Sequence, residues 1–296
     1  GYHQQRFSKL SQINKCNVKR LVPVWSASTG ADTGEQGQPF VHNGVLYTAN
    51  VKQVIAVDIG TGKQLWNYEI QWDPAVPRVV CCGLNNKGVA LFDGKVYVSA
   101  LDAHVYALDA KTGKQVWKSK IAEWKEGYSI TSAPSVVNGI VMSGMTGGEY
   151  GVRGFITALD AETGNEAWKT YTVAGPGDPA ADTWKGDSWK FGGGVSWLVG
   201  SYDPATNTWK TKTPMPTPRN HVALGAINGK IYVAGGRVGA PYISLGSDVS
   251  LVEVYDVAKD SWVATLPQRM PTARSGVGFG VFGGRLLVAG GEWQDS

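Results

Sequence analysis

Short β-type stretches follow one another along the chain, and tight-turn dipeptides separate them. Lys95–Ser99 is one such stretch. Asn43-Gly44, Asp93-Gly94 and Asn138-Gly139 mark the turns, since these dipeptides readily supply the positive φ angles of a two-residue hairpin. Period-two patterning around such turns predicts antiparallel β-hairpins.

A 51-residue repeat organises the first two-thirds of the chain. The segment 56–66 returns at 107–117 and again at 158–168, with its aspartate at Asp58, Asp109 and Asp160. Each copy follows one hairpin, so each repeat predicts a four-stranded antiparallel sheet buried on both faces against its neighbours. Within a copy, we expect the Asp and Thr to bind turn amides and the Gly to take the left-handed turn position. The Trp is expected to pack into the next sheet.

A different repeat begins after about residue 195. It combines a Tyr-Asp pair followed by Trp, a Met-Pro-Thr-x-Arg segment, and a hydrophobic strand ending in Gly-Gly. The Tyr-Asp…Trp element lies at 202–209 and 255–262, and the Met-Pro-Thr-x-Arg segment lies at 215–219 and 270–274. The strand that ends in Gly-Gly lies at 231–236 and 286–291. Two of these elements recur at an offset of 55 residues, which predicts a second type of sheet repeat.

Successive sheets joined by short antiparallel hairpins favour a β-propeller over a solenoid. We place three blades at 38–172, two strands near 195–211, one full blade at about 221–266, and inner strands only at about 275–292. Leu21–Ala27 is placed to close the last blade as its outer strand, because open edges invite aggregation. The prediction is an all-β, single closed propeller of six blades, with five as the alternative. Residues 1–197 and 198–296 would form one continuous domain.

Composition narrows the classes of partner. The chain has 296 residues, and the net charge of +4 is spread without a basic block, which argues against nucleic-acid binding. No apolar run reaches the roughly 20 residues that span a bilayer. The chain opens with polar residues and shows no signal peptide. We expect neither nucleic acid nor membrane as a partner, and a monomer rather than a dimer.

The repeats resemble those of two known families. The Asp-x-x-Thr-Gly-x-x-x-Trp copies and the opening segment Arg6–Asn14 resemble pyrroloquinoline-quinone (PQQ) dependent alcohol and methanol dehydrogenases over about residues 1–203. The later repeats resemble kelch proteins over about residues 198–294. The first resemblance implies a periplasmic or secreted protein in which PQQ and calcium are possible cofactors, and the second implies an interaction scaffold.

The quinoprotein resemblance also implies a cofactor half-site. Cys81-Cys82 matches adjacent cysteines that form a strained disulfide ring against the quinone in that family, the alternative being two small buried thiols. Trp197 matches the tryptophan on the other face of the quinone, the alternative being a blade-packing aromatic. Thr131 matches a threonine that hydrogen-bonds the cofactor.

One further loop and one cation complete the expected site. Thr146, Gly147 and Glu149 match an element whose glutamate binds calcium, a hard cation that prefers carboxylate oxygen. The alternative for Glu149 is a solvated loop carboxylate. Lys87 stands where the family has an arginine, so it keeps the charge and loses the bidentate fork.

Several departures from the family pattern weaken the expectation of activity. Gln36 and Val195 stand where an acidic residue and a threonine are usual. The family's catalytic aspartate, its asparagine ligand to calcium and the cation beside the quinone carbonyls belong to later blades, where the kelch-like repeats stand instead. We therefore assign no catalytic residue, and no cofactor is certain. Arg219 and Arg274 share one repeat position, which favours a structural role between blades.

Three hypotheses for function remain open. The first is a binding or scaffold module with a remnant quinone half-site and lost dehydrogenase activity, whose partner is an unknown protein or small ligand on the loop faces or in the channel. The alternative is an alcohol dehydrogenase-like oxidoreductase that uses PQQ and calcium through a rebuilt site. The third is a recent fusion, natural or engineered, without a function beyond folding.

Overall fold

The chain divides into two compact units, Gly1–Thr206 and Asn207–Ser296. A computed structural model describes residues 11–30, 36–80, 83–178, 181, 184–196, 213, 215–217, 219, 221–238, 247–263 and 269–291. Each unit is described by itself. In the described part of the chain the extended elements are β-strands and the helices are single 3₁₀ turns, which confirms the all-β prediction.

The described part of the first unit contains three four-stranded antiparallel sheets. Their strands are β1 Phe40–His42, β2 Val45–Ala49, β3 Gln53–Asp58, β4 Gln64–Glu69, β5 Val89–Phe92, β6 Lys95–Ser99, β7 His104–Asp109, β8 Gln115–Lys120, β9 Ser135–Val137, β10 Ile140–Gly144, β11 Phe155–Asp160 and β12 Glu166–Tyr171. Short 3₁₀ turns lie at Val18–Arg20, Val76–Arg78, Trp124–Glu126, Gly148–Tyr150 and Ser188–Phe191. Consecutive strands are neighbours in every sheet.

The predicted hairpin turns form at the expected dipeptides. Asn43, Asp93 and Asn138 have φ angles of 48°, 44° and 49°, and the glycine after each is also left-handed. In each sheet the pairing of the third and fourth strands shifts register at the same repeat position, next to Ala56, Ala107 and Ala158. The 51-residue sequence repeat is therefore a structural repeat as well.

The turn that joins the third and fourth strands is held by the predicted Asp and Thr. The Oδ1 atom of Asp109 accepts hydrogen bonds from the backbone N of Thr112 at 2.8 Å and from its Oγ1 at 2.7 Å. These bonds, with the side chain of Thr112 first, lower the pKa of Asp109. Asp58 and Asp160 make the same two bonds with their own threonines.

Each repeat tryptophan docks on the turn of the next sheet. The indole Nε1 of Trp66 donates to the Ala110 carbonyl at 3.0 Å, and that of Trp117 donates to the Ala161 carbonyl at 3.1 Å. Both rings are at least nine-tenths buried and belong to the apolar cores between adjacent sheets. The prediction that the tryptophan packs into the next sheet is confirmed for these two copies.

The segment Leu21–Ala27 shares this docking without forming a strand. Trp25 donates from Nε1 to the Ile59 carbonyl at 2.8 Å, on the turn of the first sheet. No strand is assigned within the described residues 11–30, whereas an outer strand was predicted there. Closure of a ring and the count of six or five blades stay predictions, and most of the segment near 195–211 lies outside the described residues.

The second unit contains the predicted full blade. Its strands are β13 Ala223–Ile227, β14 Lys230–Ala234, β15 Arg237–Val238, β16 Ser247–Asp248, β17 Val252–Asp256, β18 Ser261–Val263, β19 Gly278–Phe282 and β20 Arg285–Ala289. Strands β13, β14, β17 and β18 form one sheet in that order, and β15 pairs with β16. The C-terminal hairpin is a two-stranded sheet of β19 and β20, as predicted.

Two arginines at one repeat position make the same backbone contact. Arg219 donates to the Gly235 carbonyl and Arg274 to the Gly290 carbonyl, each at 2.7 Å. The Arg219 side chain also forms an ion pair with Glu253, and both side chains are at most 2% exposed. The structural role is confirmed, but each side chain secures the Gly-Gly end of a strand in its own repeat, where a role between blades was predicted.

No helix in the described part of the chain is both long and apolar enough to cross a bilayer.

Candidate functional site

The segments that lead into the first strand of each sheet lie side by side. The backbone N of Lys87 donates to the Thr131 carbonyl at 2.9 Å, and the backbone N of Gln38 donates to the Lys87 carbonyl at 3.4 Å. Gln38 precedes β1, Lys87 precedes β5 and Thr131 precedes β9. These bonds place Lys87 and Thr131 together although 44 residues separate them.

The side chains of Lys87 and Thr131 also meet. The Nζ atom of Lys87 donates to Oγ1 of Thr131 at 3.1 Å and to Oδ1 of Asn85 at 3.2 Å. Thr131 is 1% exposed, and Lys87 is half-buried. Burial lowers the pKa of Lys87, because the charged ammonium loses hydration. The contact brings an ammonium group and a buried hydroxyl together between the segments that precede β5 and β9.

A second group of predicted residues joins the first through Ser129. The backbone N of Thr146 donates to the Ser129 carbonyl at 2.8 Å, and Ser129 lies two residues before Thr131. Gly147 has a φ of +107°, and a Cβ there would collide with the backbone of Gly127. Gly147 is therefore required by the turn that carries Thr146 and Glu149.

Three buried hydroxyls near these residues have unused hydrogen-bonding capacity. The hydroxyl oxygens of Ser129, Ser132 and Thr146 have no hydrogen-bond partner among the described residues, and each residue is at most 3% exposed. Buried polar atoms are nearly always hydrogen-bonded in folded proteins. Such hydroxyls fit a site that receives the polar atoms of a ligand or of water.

Glu149 lies in the 3₁₀ turn Gly148–Tyr150 and is partly exposed. Calcium takes roughly six to eight oxygen ligands. Within the described residues, no group of three or more His, Cys, Asp or Glu side chains is close enough to hold a metal ion. The described acidic side chains thus do not fit a calcium site at Glu149 by themselves.

Three predicted site residues cannot be placed. Cys81, Cys82 and Trp197 lie outside the described residues. Val195, two residues before Trp197, is described: a Cβ built on Gly148 would be 2.9 Å from Cγ2 of Val195. The segment that leads to Trp197 therefore lies against the turn that carries Glu149.

Three polar side chains of the first unit were not singled out from the sequence. His104 bonds through Nδ1 to the buried Asp102 carboxylate at 2.9 Å, and the guanidinium of Arg153 contacts the rings of Tyr171 and Trp189. Asp102 and Arg153 occupy one repeat position, which is Val51 in the first copy. That variation within an otherwise regular repeat is the signal that would have found Asp102 and Arg153.

The first unit also has a surface cleft of about 530 Å³ at the ends of β3 and β4. Its lining includes Lys52, Gln53, Glu69 and Trp72, and none of the predicted site residues.

Comparison with known families divides the chain near the boundary between the two units. The profile of the PQQ-type glucose/ethanol/alcohol dehydrogenase β-propeller domain matches residues 1–209. A kelch motif matches residues 218–264. The hybrid resemblance seen in the repeats is confirmed.

Two Pseudomonas putida proteins illustrate the similarity. Quinohemoprotein alcohol dehydrogenase ADH IIB is 46% identical over 216 residues, which cover 68% of this chain and 31% of that protein. Quinoprotein alcohol dehydrogenase PedH is 42% identical over 239 residues, which cover 74% of this chain and 40% of that protein. The chain thus spans well under half the length of these relatives.

Solved structures agree with the sequence matches. A quinohemoprotein alcohol dehydrogenase ADHIIG from Pseudomonas putida aligns with a TM-score of 0.67 at 33% identity, over 97% of this chain and 43% of that chain. A europium-containing methanol dehydrogenase aligns with a TM-score of 0.68 at 28% identity, over 97% of this chain and 52% of that chain.

Proposed function

The chain belongs to the family of PQQ-type alcohol dehydrogenase β-propeller domains, and on that premise we propose that its first unit is a PQQ-binding module. The observation that carries the proposal is the half-buried Lys87 ammonium, held at 3.1 Å by the buried hydroxyl of Thr131. An ammonium group suits the carboxylate oxygens of PQQ, and hydroxyl groups can donate hydrogen bonds to its carbonyl oxygens.

Lys87 would attract the negative charge of the ligand, and the hydroxyls of Thr131, Ser129 and Thr146 would orient it through hydrogen bonds. A partly desolvated ammonium attracts an anion more strongly than one in bulk water, because the local dielectric constant is lower. Thr131, Ser129 and Thr146 can each donate one hydrogen bond to an acceptor oxygen. A ligand that accepted the bonds of Ser129 and Thr146 would remove the cost of leaving these groups buried without partners.

Alcohol oxidation is the second candidate function, and the relatives favour it. Bound PQQ would supply a two-electron acceptor, and in this chain Lys87 and Thr131 would hold and orient it. We prefer PQQ binding to alcohol oxidation as the proposed function, because Glu149 contributes one carboxylate where a calcium ion takes roughly six to eight oxygen ligands. The loss of activity, the partner of the kelch unit and a periplasmic or secreted location stay predictions.

A titration with retention tests the binding proposal. Apo protein is mixed with PQQ, alone and with calcium or a lanthanide, and then desalted. Retained quinone absorbance in the protein fraction is expected, and Lys87→Met should lose most of it. The matched control is Arg78→Met, which removes an exposed cation from the same unit and should retain quinone normally.

Activity is measured on the same samples with an artificial electron acceptor and a primary alcohol. Retention without dye reduction supports a binding module. Dye reduction that depends on added metal favours the dehydrogenase. Failure of wild-type protein to retain quinone under all conditions contradicts both candidate functions.

A further inference from the structure

The Arg153 side chain connects β12 to the loop that follows it. Its Nε and Nη2 atoms donate to the Val173 carbonyl at 3.0 and 2.9 Å. The guanidinium carbon lies 3.8 Å from the centre of the Tyr171 ring and 4.7 Å from that of Trp189. A planar guanidinium suits this arrangement, because it can stack on aromatic faces while its edge donates hydrogen bonds.

The backbone beside Arg153 holds the same loop at a second point. Arg153 and Gly193 form a parallel bridge. The N of Gly193 donates to the Val152 carbonyl at 3.0 Å, and the N of Gly154 donates to the Gly193 carbonyl at 2.6 Å. Residues 184–196 are thus fastened at Trp189 by stacking and at Gly193 by backbone hydrogen bonds.

The fastened loop reaches the candidate site. Val195 lies against Gly148, and Gly148 is the residue between Gly147 and Glu149 in the chain. Displacing the loop would change what covers the turn that carries Thr146 and Glu149. It would also move the residues that lead to Trp197.

The repeat fold itself does not require an arginine here. The equivalent residues of the first and second sheets are Val51 and Asp102, and both sheets form the same four-stranded arrangement. The loops after all three sheets carry predicted cofactor residues. In the third sheet, the arginine itself bonds to the following loop at Val173 and contacts its Trp189.

We propose that Arg153 is a positioning residue of the quinone site, a clamp that holds loop 184–196 against the Thr146–Glu149 turn. The inference rests on the proposed function, since it concerns the same site. Without the clamp, the loop is expected to sample positions in which the quinone has lost its contacts. The apparent dissociation constant then equals the intrinsic one divided by the fraction of time the loop is in place.

Two variants test the clamp against a purely structural role. Arg153→Met removes the hydrogen bonds and the charge, and we expect it to weaken PQQ binding about tenfold or more. Arg153→Lys keeps a charge that can donate to the Val173 carbonyl but lacks the planar fork, so it should restore binding in part. Binding is measured by quenching of tryptophan fluorescence, and the melting temperature of each apo protein is recorded beside it.

Trypsin reports on the loop without any ligand. Lys185 and Lys190 are exposed in loop 184–196. Cleavage there should be several-fold faster in Arg153→Met than in wild type, and PQQ should slow it in wild type. If Arg153→Met does not fold, Trp189→Leu removes one face of the stack and should show the same effects more weakly.

The outcomes separate the two proposals. If wild type binds PQQ and Arg153→Met binds it within about twofold while melting at a lower temperature, Arg153 is only structural and the clamp is overturned. If wild type does not bind PQQ, the proposed function fails and the positioning role fails with it. Weaker binding and faster loop cleavage, both partly rescued by lysine, support the clamp.

Discussion

The tryptophan docking contact can be tested by a single methyl group. Gly113 lies in the turn after β7 with a φ of +71°, and a Cβ built there would be 2.6 Å from Cε3 of Trp66. Trp66 is 9% exposed and is held by its hydrogen bond to Ala110. Gly113→Ala must therefore strain the backbone and also displace a buried indole.

The two costs can be estimated separately. Placing an L-residue in the left-handed region costs about 1–2 kcal/mol. Inserting a carbon into a packed contact typically costs about 1–3 kcal/mol more. We expect Gly113→Ala to lower the free energy of unfolding by about 2–5 kcal/mol, the sum of these two terms.

Gly94 provides a matched control for the strain alone. It has a φ of +69° in the β5–β6 hairpin, and a Cβ there would have no atom within 4 Å. Gly94→Ala should therefore cost only the conformational part, about 1–2 kcal/mol. Both variants are compared with wild type by urea unfolding, followed by tryptophan fluorescence and circular dichroism. Equal destabilisation by the two variants would refute the docking argument.

Three further expectations follow from individual groups. Burial lowers the pKa of Lys87, so the unfolded chain keeps this proton to higher pH than the native protein does. Between the two pKa values, the stability of wild type relative to Lys87→Met should therefore increase with rising pH. Over the same range the PQQ affinity of wild type should fall, because the ammonium loses its charge. Urea unfolding and PQQ titrations between pH 7 and about 10 measure both effects, and Lys87→Arg should keep its affinity across that range. Arg219→Met leaves the buried Glu253 carboxylate without its ion-pair partner and should lower the stability of the second unit by about 3–5 kcal/mol. Arg274→Met, at the same repeat position, should lower it by about 1 kcal/mol. Equal losses measured by calorimetry would contradict this reasoning. If Cys81-Cys82 is the disulfide that the resemblance implies, denatured protein without reductant should have one reactive thiol, the exposed Cys16, and titration of every cysteine as a free thiol would exclude the ring.

The repeating part of the fold could be predicted because its determinants are local. Asp58 and Thr61 are three residues apart, and the bonds between them close a turn whatever lies elsewhere in the chain. The docking of Trp66 follows from the same repeat, since its partner at Ala110 is a copy of the same turn. The sequence repeat therefore predicted both the strands and the contact between adjacent sheets.

Non-periodic contacts escaped prediction for a physical reason. Arg153 contacts Tyr171 at the end of β12, and Val173, Trp189 and Gly193 in the loop that follows. The sequence of that loop does not repeat in the loops after β4 and β8. The Lys87–Thr131 contact was approached only through family resemblance, and its actual partner atoms depend on backbone pairing between sheets. The predicted closure of a ring would pair segments from the two ends of the chain, and local sequence patterns do not determine such a pairing.

Retention of PQQ by the wild-type protein tests the central claim most directly. Apo protein at about 10 μM is titrated with PQQ by fluorescence quenching, with and without calcium or a lanthanide, and the complex is passed through a desalting column. The account predicts one equivalent of quinone retained with a dissociation constant of about 1 μM or lower, and markedly weaker binding by Lys87→Met. No quenching and no retained quinone in any of these conditions would contradict it.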